Sequence, residues 1–166
     1  MTLIDGLLQE LEEEAKTTRR VLERVPHDSL TWRPHPKART LGELALHVAS
    51  VPGAVAELVS ARSPVQAPQF KDPAPASAAE LVPALDAAIA KAKECLGGMD
   101  DEMVLATWRM MLGERELLAL PRLAMLRSVM LNHWYHHRGQ LSVYLRELDV
   151  PVPSIYGPSA DENPFA

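Results

Sequence analysis

A single cysteine, Cys95, in 166 residues excludes an internal disulfide and a thiolate-cluster zinc site, since both need more than one thiol. Cys95 stands just before Gly97-Gly98 at an apparent helix end and reads as a small buried apolar residue, a reactive thiol being the lesser alternative. Basic charge is also in deficit. The formal net charge is −5, whereas general nucleic-acid binding draws its affinity from lysine and arginine on phosphates, and no basic groove with interleaved aromatics is visible. DNA or RNA is therefore not expected as a partner. No run reads as the roughly 20 apolar residues of a membrane span, and Met1-Thr2-Leu3-Ile4-Asp5 lacks a basic-then-apolar leader pattern. A soluble cytoplasmic protein without a membrane partner is the expectation, and no internal repeat is seen.

What is present is enough apolar side chain for a full core. At 47% hydrophobic the chain has the size and composition of one ordinary domain spanning 1–166. Leu3, Leu7, Leu8, Leu11, Ala15, Leu22 and Val25 recur at helical spacing, with Glu10, Glu12, Glu13, Glu14, Arg19 and Arg20 on the other side. That is an amphipathic first helix ending before Pro26, and its acidic run reads as a solvated face. His27 to Arg39, with Pro34 and Pro36, reads as an ordered connection anchored by Trp32. Thr40-Leu41-Gly42-Glu43 has the form of a capping box, and Leu44, His47, Val48, Val51, Val55 and Leu58 continue a second helical stripe, with Pro52 bending or closing it.

Prolines and small residues from Ser63 to Pro75 mark a loop; Ser77 to Leu96 resumes an alanine-rich helix, with Ser77 and Glu80 forming a second capping box and Pro83 near its start. Trp108 to Leu118 half-alternates around Gly113, the pattern of a short hairpin or an extended loop. Pro121 then opens a last long helix to about Leu148, and a proline-rich tail packs back on the body. The fold class expected is all-α: a four-helix bundle with that hairpin or loop before its last helix.

Histidines mark the functional candidate. His133 and His137 lie four apart on the last helix, so both imidazoles leave one face about one turn apart, and His47 on another helix offers a third ligand. At about 100° per residue, His133, His137, Gln140 and Tyr144 share a sector of about 60°, while His136 falls about 60° beyond His133 and belongs to the rim. Against this stands the plainer reading in which a lone buried histidine is a hydrogen-bonded core residue, and helix spacing alone does not make the two helices neighbours. His27 and His35 read as loop residues, and Trp32, Trp108 and Trp134 as packing anchors. Gln140 and Arg138 are candidates to support the ligands, with pairing to an acidic neighbour the plainer role for Arg138. Glu43 shares the His47 face, but its capping position already accounts for it.

Three sequence features together carry a resemblance: His47 after a Thr-Leu-Gly-Glu helix start, the run His133-Trp134-Tyr135-His136-His137-Arg138-Gly139-Gln140, and the ending Val150-Pro151-Val152-Pro153-Ser154-Ile155-Tyr156-Gly157-Pro158. Over nearly its whole length the chain resembles the DinB/YfiT-like superfamily of metal-dependent proteins. The resemblance implies an up-down-down-up four-helix bundle, a homodimer, and a divalent metal ion held by His47, His133 and His137. Three protein ligands leave a position for water or substrate, the arrangement of working rather than structural zinc sites. Imidazole suits several metals; zinc or nickel is expected. The activity implied is that of a transferase acting with a low-molecular-weight thiol, or of a hydrolase of a small-molecule substrate, with a pocket lined in part by Tyr135 and His136. The alternative is a non-catalytic bundle that binds a ligand or partner, its histidines empty or holding a structural ion. No catalytic acid or base is identified by the sequence.

Overall fold

Helix starts are set by short polar side chains, as the sequence reading requires. In the computed structural model, which describes residues 2–69 and 71–165, Thr2 and Asp5 close a reciprocal capping box on α1 (Leu3–Leu22). The two ends of the 1–166 span, and Phe70 in the proline-rich loop, lie outside the described residues. Ile4, Leu7, Leu11, Thr18, Val21 and Leu22 form the buried stripe of α1, and the helix stops before Pro26.

Thr40 and Glu43 likewise cap α2 (Leu41–Ser60): the Thr40 amide donates to Glu43 Oε2 at 2.6 Å and the Glu43 amide to Thr40 Oγ1 at 3.2 Å. Pro52 does not close this helix, which runs through it. A proline has no N–H for the carbonyl four residues back, here that of Val48. Trp134 supplies the missing donor from the last helix, its Nε1–H reaching the Val48 oxygen at 2.7 Å. By length and composition α2 is apolar enough to cross a membrane; more than half of it is buried against the rest of the protein.

Ser77 and Glu80 cap a short 3-10 turn, Ala78–Glu80, that leads into α3 (Leu81–Leu96). Pro83 sits in the first turn of α3, where a missing N–H costs nothing. α3 packs closely on α2 at Gly53, where a Cβ would lie 2.8 Å from the Ala88 Cα atom.

Beyond α3 the structure corrects the all-α expectation. A short helix α4 (Asp101–Leu105), capped by Asp100, precedes the hairpin of β2 (Thr107–Leu112) and β3 (Arg115–Pro121). Leu112 pairs with Arg115, so the loop is Gly113-Glu114, and Gly113 adopts φ 59°. Positive φ at the first loop residue alone is the II′ pattern, which favours glycine. A third strand, β1 (Val65–Gln66), pairs parallel to β2 and gives the order β1-β2-β3. Two residues are too few for alternation to show in the sequence; β1 is held instead by the Ala67 amide on the Met111 carbonyl and by Gln66 bridging to Gly113.

The last helical stretch is continuous from Arg122 to Glu147 but changes pitch: α5 (Arg122–Met125), a π-helical segment Leu126–Asn132, then α6 (His133–Glu147). The tail returns to the body as expected, Asp161 accepting from the Val152 amide at 2.8 Å and pairing with Arg146, and Glu162 pairing with Arg20. One cluster of buried apolar residues draws on α1, α2, α3 and the last helical stretch, with Trp108 and Trp134 fully buried in it. The protein is mostly helical, with a small three-stranded sheet.

Candidate metal centre

Helix starts, pitch and one tryptophan tie bring His47, His133 and His137 together. His47 follows the capped start of α2 by two turns, His133 is the first residue after the π segment, and His137 lies one turn beyond it. The Trp134–Val48 hydrogen bond joins the residue after His133 to the residue after His47, fixing the two helices at the level of the rings. His133 Nε2 and His137 Nε2 are 2.8 Å apart. The His47 ring lies 5.2 Å from His133 and 4.6 Å from His137, centroid to centroid, and the three planes are nearly perpendicular. One ring nitrogen from each falls within 4.8 Å of the others.

The donor set fits a cation better than it fits the protein alone. Nε2 of His47 is buried with no hydrogen-bond partner, a costly state for a polar atom unless something else engages it. His137 Nδ1 meets Gln140 Oε1 at 2.7 Å; the amide oxygen can only accept, so the proton stays on Nδ1 and the Nε2 lone pair is left facing His133 Nε2. His133 Nδ1 is likewise buried with no hydrogen-bond partner. Two ligands about 2.05 Å from a tetrahedral ion stand roughly 3.3 Å apart, so the 2.8 Å separation of the His133 and His137 nitrogens need open only slightly to admit one.

Electrostatics point the same way. Burial, followed by the neighbouring rings and the Arg39 cation, depresses His47 to about 4. Burial is also the main cause for His137, again to about 4, where Gln140 opposes it, and for the downward shift of His133. All three rings are neutral at pH 7, the state a metal ligand needs.

A cleft of about 360 Å³ reaches the group, lined by Lys37, Arg39, Asp72, His137, Gln140 and Tyr144 among others. A larger apolar groove, about 620 Å³, runs past Leu3, Leu7, Leu105 and Leu123 and is not lined by the histidines. His136 is exposed, its ring 5.1 Å from that of His137, and it does not line the cleft as expected. Tyr135 does not line the cleft as expected; its hydroxyl donates to Glu10 Oε1 at 2.9 Å across to α1. Arg138 also faces away from the histidines. It is 1% exposed and donates to Thr18 Oγ1 and Tyr156 Oη while pairing with Glu14 at 2.6 Å. Its plainer role is the one the structure shows, and Glu10 and Glu14 are thereby corrected from solvated to engaged. Glu43 remains a cap, and His27 and His35 are exposed.

Sequence reasoning missed Arg39, Lys37 and Asp72, which come from two loops without periodicity. It also missed the Trp134–Val48 tie, for which Pro52 four residues after Val48 was the available signal.

Comparison with known proteins bears on the family and the fold. The model of the DinB family matches residues 2–164. The uncharacterized protein YrdA of Bacillus subtilis strain 168 is 27% identical over 159 residues, covering 96% of this chain and 91% of that protein. A DinB-like protein from Bacillus cereus ATCC 10987 superposes with a TM-score of 0.72 at 25% identity, over 93% of this chain and 98% of that one. A DinB-like protein from Bacillus subtilis has the same fold, with a TM-score of 0.64 at 18% identity over 88% of this chain and 96% of that one. From its first capped helix to its returning tail, the chain belongs to the DinB family.

Proposed function

We propose that this protein is a metal-dependent enzyme in which His47, His133 and His137 hold one divalent ion, zinc or nickel. Its substrate is a small molecule, with transfer to or from a low-molecular-weight thiol the first class and hydrolysis the second. One observation carries the reading: three neutral imidazoles converge while the buried Nε2 of His47 has no protein partner. Among the described residues no fourth histidine, cysteine or carboxylate joins the group, which favours a working site over a closed structural one. The pairing of α1 with α3, α2 with α3, and α2 and α1 with α6 supports the up-down-down-up bundle as the frame.

When bound, such an ion supplies Lewis acidity, which lowers the pKa of a thiol or water. The remaining work falls to the chain. Gln140 keeps the His137 proton on Nδ1 and orients the ring. Trp134 holds α6 at a fixed distance from α2 beside the ligands. The cleft admits a small molecule past Gln140 and Tyr144 to His137.

Cobalt(II) substitution tests this reading, because a tetrahedral cobalt centre reports its ligands in the visible spectrum. Adding 2-mercaptoethanol should produce a new thiolate-to-cobalt band. A cobalt spectrum indifferent to thiol and to pH would mean a closed centre and would favour the non-catalytic alternative.

A further inference from the structure

The cleft beside the histidines carries charge of the opposite sign to the molecule. The chain has a net charge of −5, yet the charged side chains lining this cleft are Lys37 and Arg39 against the single carboxylate Asp72. Arg39 is the informative residue. It immediately precedes the Thr40 cap of α2, and its backbone carbonyl accepts from the Tyr144 hydroxyl at 3.3 Å. Tyr144 is steadied edge-on by Trp32 at 5.5 Å. The Arg39 backbone is thus pinned to α6 one side of the cleft, two turns beyond His137.

Among the described residues the one partner of its guanidinium is Asp72, whose Oδ1 accepts from Nε at 2.8 Å. That leaves the other nitrogens of the fork without a protein acceptor among those residues. The Asp72 side chain is 44% exposed and comes from the irregular stretch between β1 and α3, where an ion pair is weak and readily exchanged for another carboxylate. Arg39 and His137 line the same cleft, so a small molecule held on the guanidinium lies beside the histidine ring.

We propose that Arg39, assisted by Lys37, is the specificity determinant of this cleft, and that it receives a carboxylate of a small substrate whose other end faces His137. Asp72 is the internal carboxylate that occupies Arg39 until the substrate displaces it. The planar fork of arginine matches a carboxylate in two-point geometry, and the cleft volume suits a molecule at the small end of metabolite size. The direction of the reactive end rests on the metal-dependent reading; the carboxylate preference does not.

The test compares 3-mercaptopropionate with its neutral amide, 3-mercaptopropionamide, by NMR titration of wild-type protein with and without zinc. The acid should bind about three- to fivefold more tightly than the amide, the factor expected from a partly exposed ion pair on one guanidinium. Because Arg39 and not the ion makes that difference, the ratio should survive metal removal, while both probes weaken together if the ion holds the thiol. Arg39→Gln should reduce the ratio to below about twofold, and Asp72→Asn, which frees the guanidinium, should raise affinity for the acid and not for the amide. Equal binding of acid and amide by wild type, or a ratio untouched by either substitution, would overturn the assignment. So would displacement of the probe by inorganic phosphate at lower concentration than by acetate. Zinc-independent binding of both probes with the ratio intact would instead count against the metal reading and leave Arg39 in its role.

Discussion

Trp134→Ala is expected to cost about 3–5 kcal/mol, the range for truncating a buried large aromatic, and Trp134→Phe about 1–3 kcal/mol for an orphaned buried carbonyl. Trp134 is fully buried, and its indole N–H satisfies the Val48 carbonyl that Pro52 cannot. The link between proline and tryptophan makes a sharper expectation. In a Pro52→Ala background, residue 52 regains an N–H for Val48, so Trp134→Phe should cost less there, with a coupling of roughly 0.5–1.5 kcal/mol. Urea unfolding of the four proteins at matched m-values measures it. Equal costs of Trp134→Phe in both backgrounds would break the argument that Trp134 replaces the donor Pro52 lacks.

The second large effect is expected at Arg138. Glu14→Ala leaves a guanidinium that is 1% exposed without its carboxylate, and breaking a buried pair costs about 3–5 kcal/mol. The lower end of that range is expected, because Thr18 Oγ1, the Glu14 carbonyl, Tyr156 Oη and the rings of Tyr135 and Tyr156 still face the cation. Replacing both partners, as Glu14→Leu with Arg138→Met, should cost less than Glu14→Ala alone, since no uncompensated charge is left inside. Thermal unfolding of the single and double variants decides this. A double variant less stable than Glu14→Ala would mean that the network contributes more than its two charges.

The parts of the fold written in local chemistry were readable in the sequence. Thr40 and Glu43 announce the start of α2 because a hydroxyl and a carboxylate three residues apart can satisfy two helix-end amides. The helical spacing of Leu7, Leu11 and Leu22 shows α1 for the same local reason, although Leu3, counted in that stripe, is exposed and Ile4 is buried in its place, and Gly113 marks a turn because few other residues adopt φ 59° there. His133 and His137 share a face by helix geometry, and Gln140, three residues on, falls beside them. Less was visible where tertiary packing decides. β1 has two residues and exists because β2 offers it an edge. The π segment before His133 leaves no periodic trace in seven residues. Glu10 and Glu14 look like any acidic helix face until α6 brings Tyr135 and Arg138 against them. Arg39 and Asp72 meet across 33 residues of chain, a contact no spacing rule encodes. That His47 would meet the other two histidines required α2 and α6 to be neighbours, which the Trp134–Val48 bond now explains.

Metal content by plasma mass spectrometry on untagged protein, beside His47→Ala and His137→Ala, tests the central claim most directly. About one divalent ion per wild-type chain is expected, and its loss in either variant, since ligand removal undoes a site built from three imidazoles. Wild-type protein free of metal after incubation with zinc and nickel, or variants that retain a full complement, would contradict it.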